Sequence, residues 1–146
     1  MTDLLWQYAL VFLAAATPWL EIMIVIPVAV GVGLAPIPVT IISFIGNALP
    51  VLGIIALFRW WEVRRGPIQR RWSPRAQRVW NRYGLPGVAF AGPVITGIHL
   101  AAVMALALQA DRRATVFWMT LSLAIWSLIT IVVTVVGFES LGWLMA

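Results

Sequence analysis

The stretch RWWEVRRGPIQRRWSPRAQRVWNR, residues 59–82, decides the fold of this chain, because it is the one long hydrophilic stretch in an apolar sequence. All ten cationic side chains are arginines, and all lie between Arg59 and Arg113. Of the 146 residues, 62% are hydrophobic and 10% charged, whereas soluble domains average about 25% charged residues. The sequence therefore predicts an all-α integral membrane protein with a single membrane domain over 1–146 and a cytoplasmic arginine-rich loop.

The composition argues against several classes of protein. The net charge of +5 could indicate nucleic acid as a partner, but the arginines flank apolar runs and no nucleic-acid motif accompanies them, so none is expected. The lack of cysteine excludes disulfides and thiol chemistry, and one histidine with five acids argues against a metal site. No paired carboxylates, nucleophile–base arrangement or cofactor motif is visible, so we expect neither an enzyme nor a cofactor.

Prolines and glycines divide the apolar sequence into whole and broken segments. A spanning helix needs about 20 apolar residues. Two apolar segments are interrupted by helix breakers, such as Pro27 in one and Pro86 and Pro93 in the other, which indicates re-entrant hairpins. In chain order we predict a span over 4–20, a re-entrant hairpin over 21–37, a span over 38–61 kinked at Pro50, a basic cytoplasmic loop over 62–84, a re-entrant hairpin over 85–110 and a span over 114–138.

The distribution of arginine predicts the orientation of these segments. Both ends of the segment 85–110 are rich in arginine, so both are expected in the cytoplasm and this hairpin opens there. The hairpin over 21–37 then opens to the outside, which gives two halves of opposite orientation, the pattern of inverted-repeat transporters. We expect a multi-pass protein of the bacterial cytoplasmic (inner) membrane, and a homodimer that covers exposed hairpin backbone.

Three short motifs resemble those of a known family. They are PWLE at 18–21, with Pro27 six residues after its acid, GNALPV at 46–51 and RYGLPG at 82–87. Their order and spacing resemble the bacterial small multidrug export protein family, which in turn resembles a distant branch of the DedA/VTT superfamily of membrane proteins. The resemblance implies a DedA-like fold with two opposed re-entrant hairpins, and proton-coupled transport with lipids or lipophilic cations as substrates.

Glu21 and His99 are the candidate residues for coupling to protons or to substrate. Glu21 is a single acid among apolar residues, and an ionised carboxylate in hydrocarbon is costly, so Glu21 is a natural proton carrier. In the alternative, Glu21 is solvated at the outer interface beside Trp19 and only ends the first helix. His99 can exchange protons near neutral pH and pair with Glu21, or it can bond a backbone carbonyl freed by Gly97.

Other polar residues are candidates for lining a cavity. Thr40, Ser43 and Asn47 fall at i, i+3 and i+7 and so share one helix face. We expect this face to point into the bundle, because a bare amide in lipid is costly. Thr40 and Asn47 would there line a cavity or hydrogen-bond between helices. Thr96 and Gly97 would present backbone groups to a substrate at the hairpin tip, or form only the turn.

The basic stretch has two interpretations. Arginines beside a span anchor it on the cytoplasmic side. Arginine clusters also attract anionic lipid head groups, at about 1 kcal/mol for each residue near the surface. In a lipid transporter the two interpretations coincide. The arginines assigned to contact with anionic lipid are Arg64, Arg65, Arg70, Arg71, Arg75 and Arg78.

Local signals predict several helix ends and contacts. Ser73 followed by Pro74 predicts the start of a short helix over 74–83. Asp111, before Arg112 and Arg113, predicts a helix N-cap with a surface ion pair. A recurrence of small hydroxyl side chains every seven residues in the last span predicts a stripe of helix–helix contact, called here the hydroxyl stripe. It comprises Thr120, Ser127 and Thr134.

Three functions are compatible with these features. The leading prediction is a DedA-like, proton-coupled transporter that moves a lipid or lipophilic substrate across or between leaflets. The first alternative is a proton-coupled small multidrug exporter acting on lipophilic cations. The second is a non-transport membrane assembly protein whose basic loop binds lipids or a partner. Membrane lipids and protons are the expected partners in the leading prediction.

Overall fold

The computed structural model describes residues 2–66 and 73–145, and within them all regular structure is helical. The predicted all-α class is therefore confirmed. The helices are α1 (Thr2–Ala16), α2 (Ile22–Gly31), α3 (Pro36–Arg65), α4 (Pro74–Ile95), α5 (Ile98–Ala107) and α6 (Arg112–Met145).

These helices belong to two compact units. The first unit comprises the described residues up to Leu49 together with those from Leu123 onward, and the second unit comprises Pro50–Ser122. In the first unit α1 packs against α2, and in the second α4 packs against α5. Each of the long helices α3 and α6 contributes one part to each unit.

The short helices α2 and α5 are built alike. Each has ten residues, and in each the first, fourth, fifth and eighth positions are buried. The same helix face, in the same register, therefore packs onto the rest of its unit. The buried residues at these positions are Ile22, Val25, Ile26 and Ala29 in α2, and Ile98, Ala101, Ala102 and Ala105 in α5.

The turns after these two helices also match. Each is closed by the two backbone hydrogen bonds of a Schellman motif, which requires a left-handed residue just after the helix. That residue is Gly33 (φ +93°) after α2 and Gln109 (φ +62°) after α5. A long helix follows each turn directly. The bonds run from Gly33 N–H to Val30 O (2.9 Å), Leu34 N–H to Ala29 O (3.1 Å), Gln109 N–H to Leu106 O (2.9 Å) and Ala110 N–H to Ala105 O (3.0 Å).

The long helix α3 turns its polar side inward and its apolar side outward. Ser43 and Asn47 are completely buried. On the opposite side, Ile41, Ile45 and Leu49 are 53%, 45% and 50% exposed. A helix in water has the reverse arrangement, because exposed apolar surface is unfavourable there. The prediction that the polar face of this helix points inward is confirmed.

Two helices in the described residues are long and apolar enough to cross a membrane. They are Pro36–Arg65 and Arg112–Ser140, and each reaches a mean hydropathy of 2.3. They contain the predicted spans 38–61 and 114–138. By contrast α1 has 15 residues, or about 22 Å at 1.5 Å per residue, which is less than the hydrocarbon thickness of about 30 Å. Whether residues 4–20 cross, and whether the broken segments re-enter, stays a prediction.

Helix α4 is interrupted at Gly84, whose φ of +59° and ψ of −161° lie outside the helical region. Glycine tolerates this conformation because it has no Cβ. The predicted short helix over 74–83 is thus confirmed as the first part of α4. Helices also extend into both ends of the range 62–84 predicted as the basic loop, since α3 ends at Arg65 and α4 begins at Pro74.

Helices α4 and α5 approach closely at Gly92. A Cβ atom there would lie 2.5 Å from the Cβ of Ala101. We therefore expect Gly92→Ala to lower the free energy of unfolding by about 1–3 kcal/mol through overpacking. Gly53→Ala is the matched control, because nothing lies within 4 Å of its added Cβ, and alanine favours a helix by about 1 kcal/mol over glycine. The melting temperatures of the two variants in detergent should shift in opposite directions. Equal shifts would contradict this packing.

Candidate functional site

Glu21 lies immediately before α2. Its backbone carbonyl accepts hydrogen bonds from the N–H groups of Ile24 (2.9 Å) and Val25 (3.1 Å), which begin the helix. The residue as a whole is half-buried, and the Oε2 atom of its carboxylate is fully buried. The carboxylate therefore stands at the positive end of a helix dipole, which favours negative charge. This position combines partial burial with a place at the N-terminus of a short helix.

His99 occupies the second position of α5 and is 5% exposed. Gly97 precedes the helix with a φ of +84°, so this turn needs a residue that tolerates the left-handed region. Thr96 is exposed, and its hydroxyl lies 3.4 Å from the carbonyl oxygen of Gly97. Thr96, Gly97 and His99 therefore lie together at the turn between α4 and α5. Glu21 belongs to the first unit and His99 to the second, and their pairing stays a prediction.

The buried polar face of α3 contains side chains in two different states. The Thr40 hydroxyl donates to the Pro36 carbonyl oxygen at 2.8 Å, so it is satisfied within its own helix. Among the described residues, neither the Ser43 hydroxyl nor either polar atom of the Asn47 side chain has a hydrogen-bond partner. Burying an amide without a partner is costly. Asn47 therefore has unused capacity to bind a polar group, and its role in lining a cavity stays a prediction.

The hydroxyl stripe of α6 is partly confirmed. Ser127 and Thr134 are buried, as such a stripe requires. The Thr134 hydroxyl, however, donates to the Thr130 carbonyl oxygen of its own helix at 2.7 Å. A hydrogen bond between helices comes from Ser122, off the predicted stripe, whose hydroxyl donates to the Ala89 carbonyl oxygen in α4 at 2.7 Å. A seven-residue recurrence identifies a helix face but not the carbonyl that a hydroxyl will reach.

The arginines assigned to anionic lipid lie at the end of α3 and the start of α4. Arg64 and Arg65 are exposed, and their guanidinium carbons lie 4.5 Å and 4.8 Å from the ring centres of Trp60 and Trp61. These cation–π contacts hold the charges against aromatic side chains while leaving them accessible. Arg78 is exposed on α4. Arg70, Arg71 and the side chain of Arg75 lie outside the described residues, and lipid contact by all six stays a prediction.

The start of α6 is capped as predicted but paired differently. The Asp111 Oδ1 atom accepts a hydrogen bond from the Ala114 N–H at 2.8 Å, which confirms the N-cap. The surface ion pair was predicted between Asp111 and the arginines that follow it. Arg112 instead forms a salt bridge with Glu62, at the end of α3. Glu62 was not among the predicted site residues, because no local sequence pattern indicates a partner fifty residues away.

A family model described as "Putative small multi-drug export protein" matches residues 21–129. This range runs from Glu21 into α6 and covers more than half of the chain. The chain belongs to this family. Membership of the small multi-drug export family, together with the two candidate spans, is consistent with a membrane location. No curated protein and no solved structure matches the chain.

The region shared with the small multi-drug export family contains every candidate residue for coupling and for cavity lining. It begins at Glu21 and includes Asn47 and His99, whereas α1 lies before it. A carboxylate and an imidazole can exchange protons, and a buried amide can bind a polar group. In residues 2–66 and 73–145, no cluster of three or more histidine or acidic side chains is placed to hold a metal ion.

Proposed function

We propose that this protein is a membrane transporter in which Glu21 carries the coupling proton and a lipid or lipophilic substrate crosses the bilayer. The observation that supports it best is the match between α2 and α5, which share length, buried register and terminal turn. Short helices that begin inside a bilayer place their positive ends where substrates and coupling ions bind. Glu21 and His99 stand at these two beginnings.

The proposal includes an inverted arrangement of the two halves. The Glu62–Arg112 salt bridge joins the end of α3 to the start of α6, so in this proposal α4 and α5 enter the membrane and return to the side they left. Since α3 crosses once, the start of α6 then lies across the membrane from the start of α3. The matched segments α2–α3 and α5–α6 would therefore have opposite orientations, as in a DedA-like fold.

The orientation follows from the arginines. Those at the end of α3 and the start of α6 would both be cytoplasmic by the positive-inside rule. This agrees with the salt bridge between Glu62 at the end of α3 and Arg112 at the start of α6. In the bacterial inner membrane, the first hairpin then opens outward and Glu21 exchanges protons with the exterior. Rocking of one half against the other would expose Glu21 and the buried amide of Asn47 to each side in turn.

Export of lipophilic cations is the second candidate, and the family description favours it. The two candidates use the same proton carrier and differ in substrate. A lipid would move between leaflets, whereas a lipophilic cation would leave the cell. A non-transport assembly role would need neither Glu21 nor a pH gradient, so the same measurements distinguish all three.

The test is transport by the purified protein in liposomes with a pH gradient imposed in either direction. One arm follows fluorescent phosphatidylglycerol with dithionite outside, and the other follows release of tetraphenylphosphonium. We expect protein-dependent movement of one of these probes, accelerated by one direction of the gradient. Movement no faster than in protein-free liposomes, for both probes and both gradients, would overturn the proposal and leave the assembly role.

Single cysteines supply the orientation control in the same liposomes, because the chain has none of its own. Ala35→Cys and Asp111→Cys alter matched exposed positions, one just before α3 and one just before α6. A membrane-impermeant maleimide should label them from opposite sides. Labelling from the same side would contradict the inverted arrangement. It would not affect the interpretation of the transport result.

A further inference from the structure

An open cleft of about 810 Å³ lies in the second unit beside the Glu62–Arg112 salt bridge. It is bounded by the end of α3, the turn after α5 and the start of α6. Its lining is rich in charge, with three arginines and two carboxylates. The polar residues that line it are Arg59, Glu62, Gln109, Asp111, Arg112 and Arg113.

Both carboxylates of this cleft are already engaged within the fold. Glu62 accepts a hydrogen bond from Arg112, and Asp111 accepts one from the Ala114 N–H. In the part of the chain that the structure describes, neither the Arg59 nor the Arg113 side chain has a hydrogen bond, ion pair or cation–π contact. Three arginines against two carboxylates give the cleft a net charge of +1. The side chains of Arg59 and Arg113, on different helices, are exposed and available to an anion.

Gln109, which also lines the cleft, has an unusual backbone conformation. It adopts a φ of +62°, in the left-handed region where side chains other than glycine are strained. The matching turn after α2 has Gly33 at the same place, with the same two closing hydrogen bonds. Since glycine would close the turn without strain, the reason for glutamine lies outside the turn. Gln109 lines the cleft, and its side-chain amide is a hydrogen-bond donor.

We propose that this cleft binds a phosphate group, held by the guanidinium groups of Arg59 and Arg113 and by the side-chain amide of Gln109. Phosphate suits this set because its oxygens point in several directions, so donors from two helices and a turn can each reach one. The phosphate belongs either to a lipid head group or to a soluble phosphate compound. The site is distinct from the exposed arginines assigned above to lipid contact, and it does not depend on the proposed transport.

The experiment measures binding to the full chain purified in a neutral, phosphate-free detergent. The two probes are inorganic phosphate and dihexanoyl phosphatidylglycerol, titrated by calorimetry at constant ionic strength. Saturable binding of inorganic phosphate supports a soluble source. Binding of the short-chain lipid alone supports a lipid head group. Saturable binding of neither probe would overturn the proposal.

Substitutions test whether the phosphate binds at this cleft. Arg59→Gln and Arg113→Gln should each raise the Kd by about tenfold, the usual effect of losing one charge-assisted hydrogen bond. Arg82→Gln is the control, because it removes one charge from the same unit outside the cleft, where Arg82 stacks on Tyr83. Equal effects of all three variants would show general attraction to a basic protein and would contradict a built site.

Gln109→Gly distinguishes a ligand from a purely structural role. It removes the amide and relieves the strained backbone, so we expect a higher melting temperature together with a Kd several-fold weaker. Gly33→Gln makes the reverse change in the matching turn, and should lower the melting temperature without altering the Kd. An unchanged Kd in Gln109→Gly would remove this residue from the site.

Discussion

Glu21→Gln is expected to reduce proton-driven transport to the level of protein-free liposomes. Glutamine keeps the size and hydrogen-bonding capacity of the side chain but cannot exchange a proton. Positioned proton transfer typically contributes about 10²–10⁴-fold to a rate, so its loss would leave no gradient-driven movement above background. Substrate binding should remain, because the side chain retains its shape. The measurement is the initial rate of probe movement with and without the pH gradient.

Glu139→Gln is the matched control for this substitution. It removes a carboxylate of the same type from an exposed position near the end of α6, in the same unit. Transport should be unchanged in this variant. If Glu21→Gln retained gradient-driven transport as well, Glu21 would be a solvated residue that only precedes α2. The half-buried position of Glu21 is compatible with either result, so activity decides the question.

The parts of the fold that could be predicted are those governed by local rules. The buried face of α3 followed from three polar residues at helical spacing. The helix start at Pro74 followed from the backbone preference of proline for the first position of a helix. The N-cap at Asp111 followed from an acid before a helix. Each rule depends on neighbours within a few residues, so one sequence is enough to apply it.

The parts that could not be predicted depend on contacts between distant segments. The Glu62–Arg112 salt bridge joins residues fifty positions apart, and nothing near Glu62 distinguishes Arg112 from the other arginines. The position-by-position match of α2 and α5 is not visible in the sequence for a different reason. Val25 and Ala101 occupy matching buried positions. A buried position requires only an apolar side chain of suitable size. Two such segments can match in structure without visible sequence identity.

The end of α5 lacks the usual sequence signal of a helix C-terminus. A helix C-terminus is normally recognised by a glycine just after it. The α5 terminus lacks that signal, since glutamine occupies the left-handed position. The sequence therefore indicated a broken segment over 85–110 but not where its second helix ends. The same departure from the local rule is what draws attention to the cleft, because violations of local preference concentrate at functional sites.

Asn47→Leu is expected to separate stability from transport. Asn47 is completely buried, and in the described residues neither its amide nitrogen nor its oxygen has a hydrogen-bond partner. Leucine has a similar volume and no polar atoms, so it removes an unsatisfied amide without opening a cavity. We expect the free energy of unfolding to rise by about 1–3 kcal/mol, the cost of leaving a buried polar group unpaired. Thermal unfolding in detergent measures this change.

The same variant should transport poorly. In the proposed function, the buried amide of Asn47 binds the polar part of a substrate as it passes. We therefore expect Asn47→Leu to lower the transport rate by about tenfold, the effect of losing one hydrogen bond to a polar group. Thr40→Val is the control on the same face, because the Thr40 hydroxyl is already bonded to the Pro36 carbonyl, so little transport should be lost.

The two measurements on Asn47→Leu together identify what the amide does. Higher stability with lower transport assigns it to the substrate path. Higher stability with normal transport would make Asn47 an unused polar residue and remove it from the mechanism. Lower stability would mean that water or a neighbouring group satisfies the amide in solution, because only a satisfied amide stabilises the protein that contains it. Ser43→Ala, one turn earlier on the same buried face, should change stability in the same direction by a smaller amount, since its hydroxyl also has no partner among the described residues.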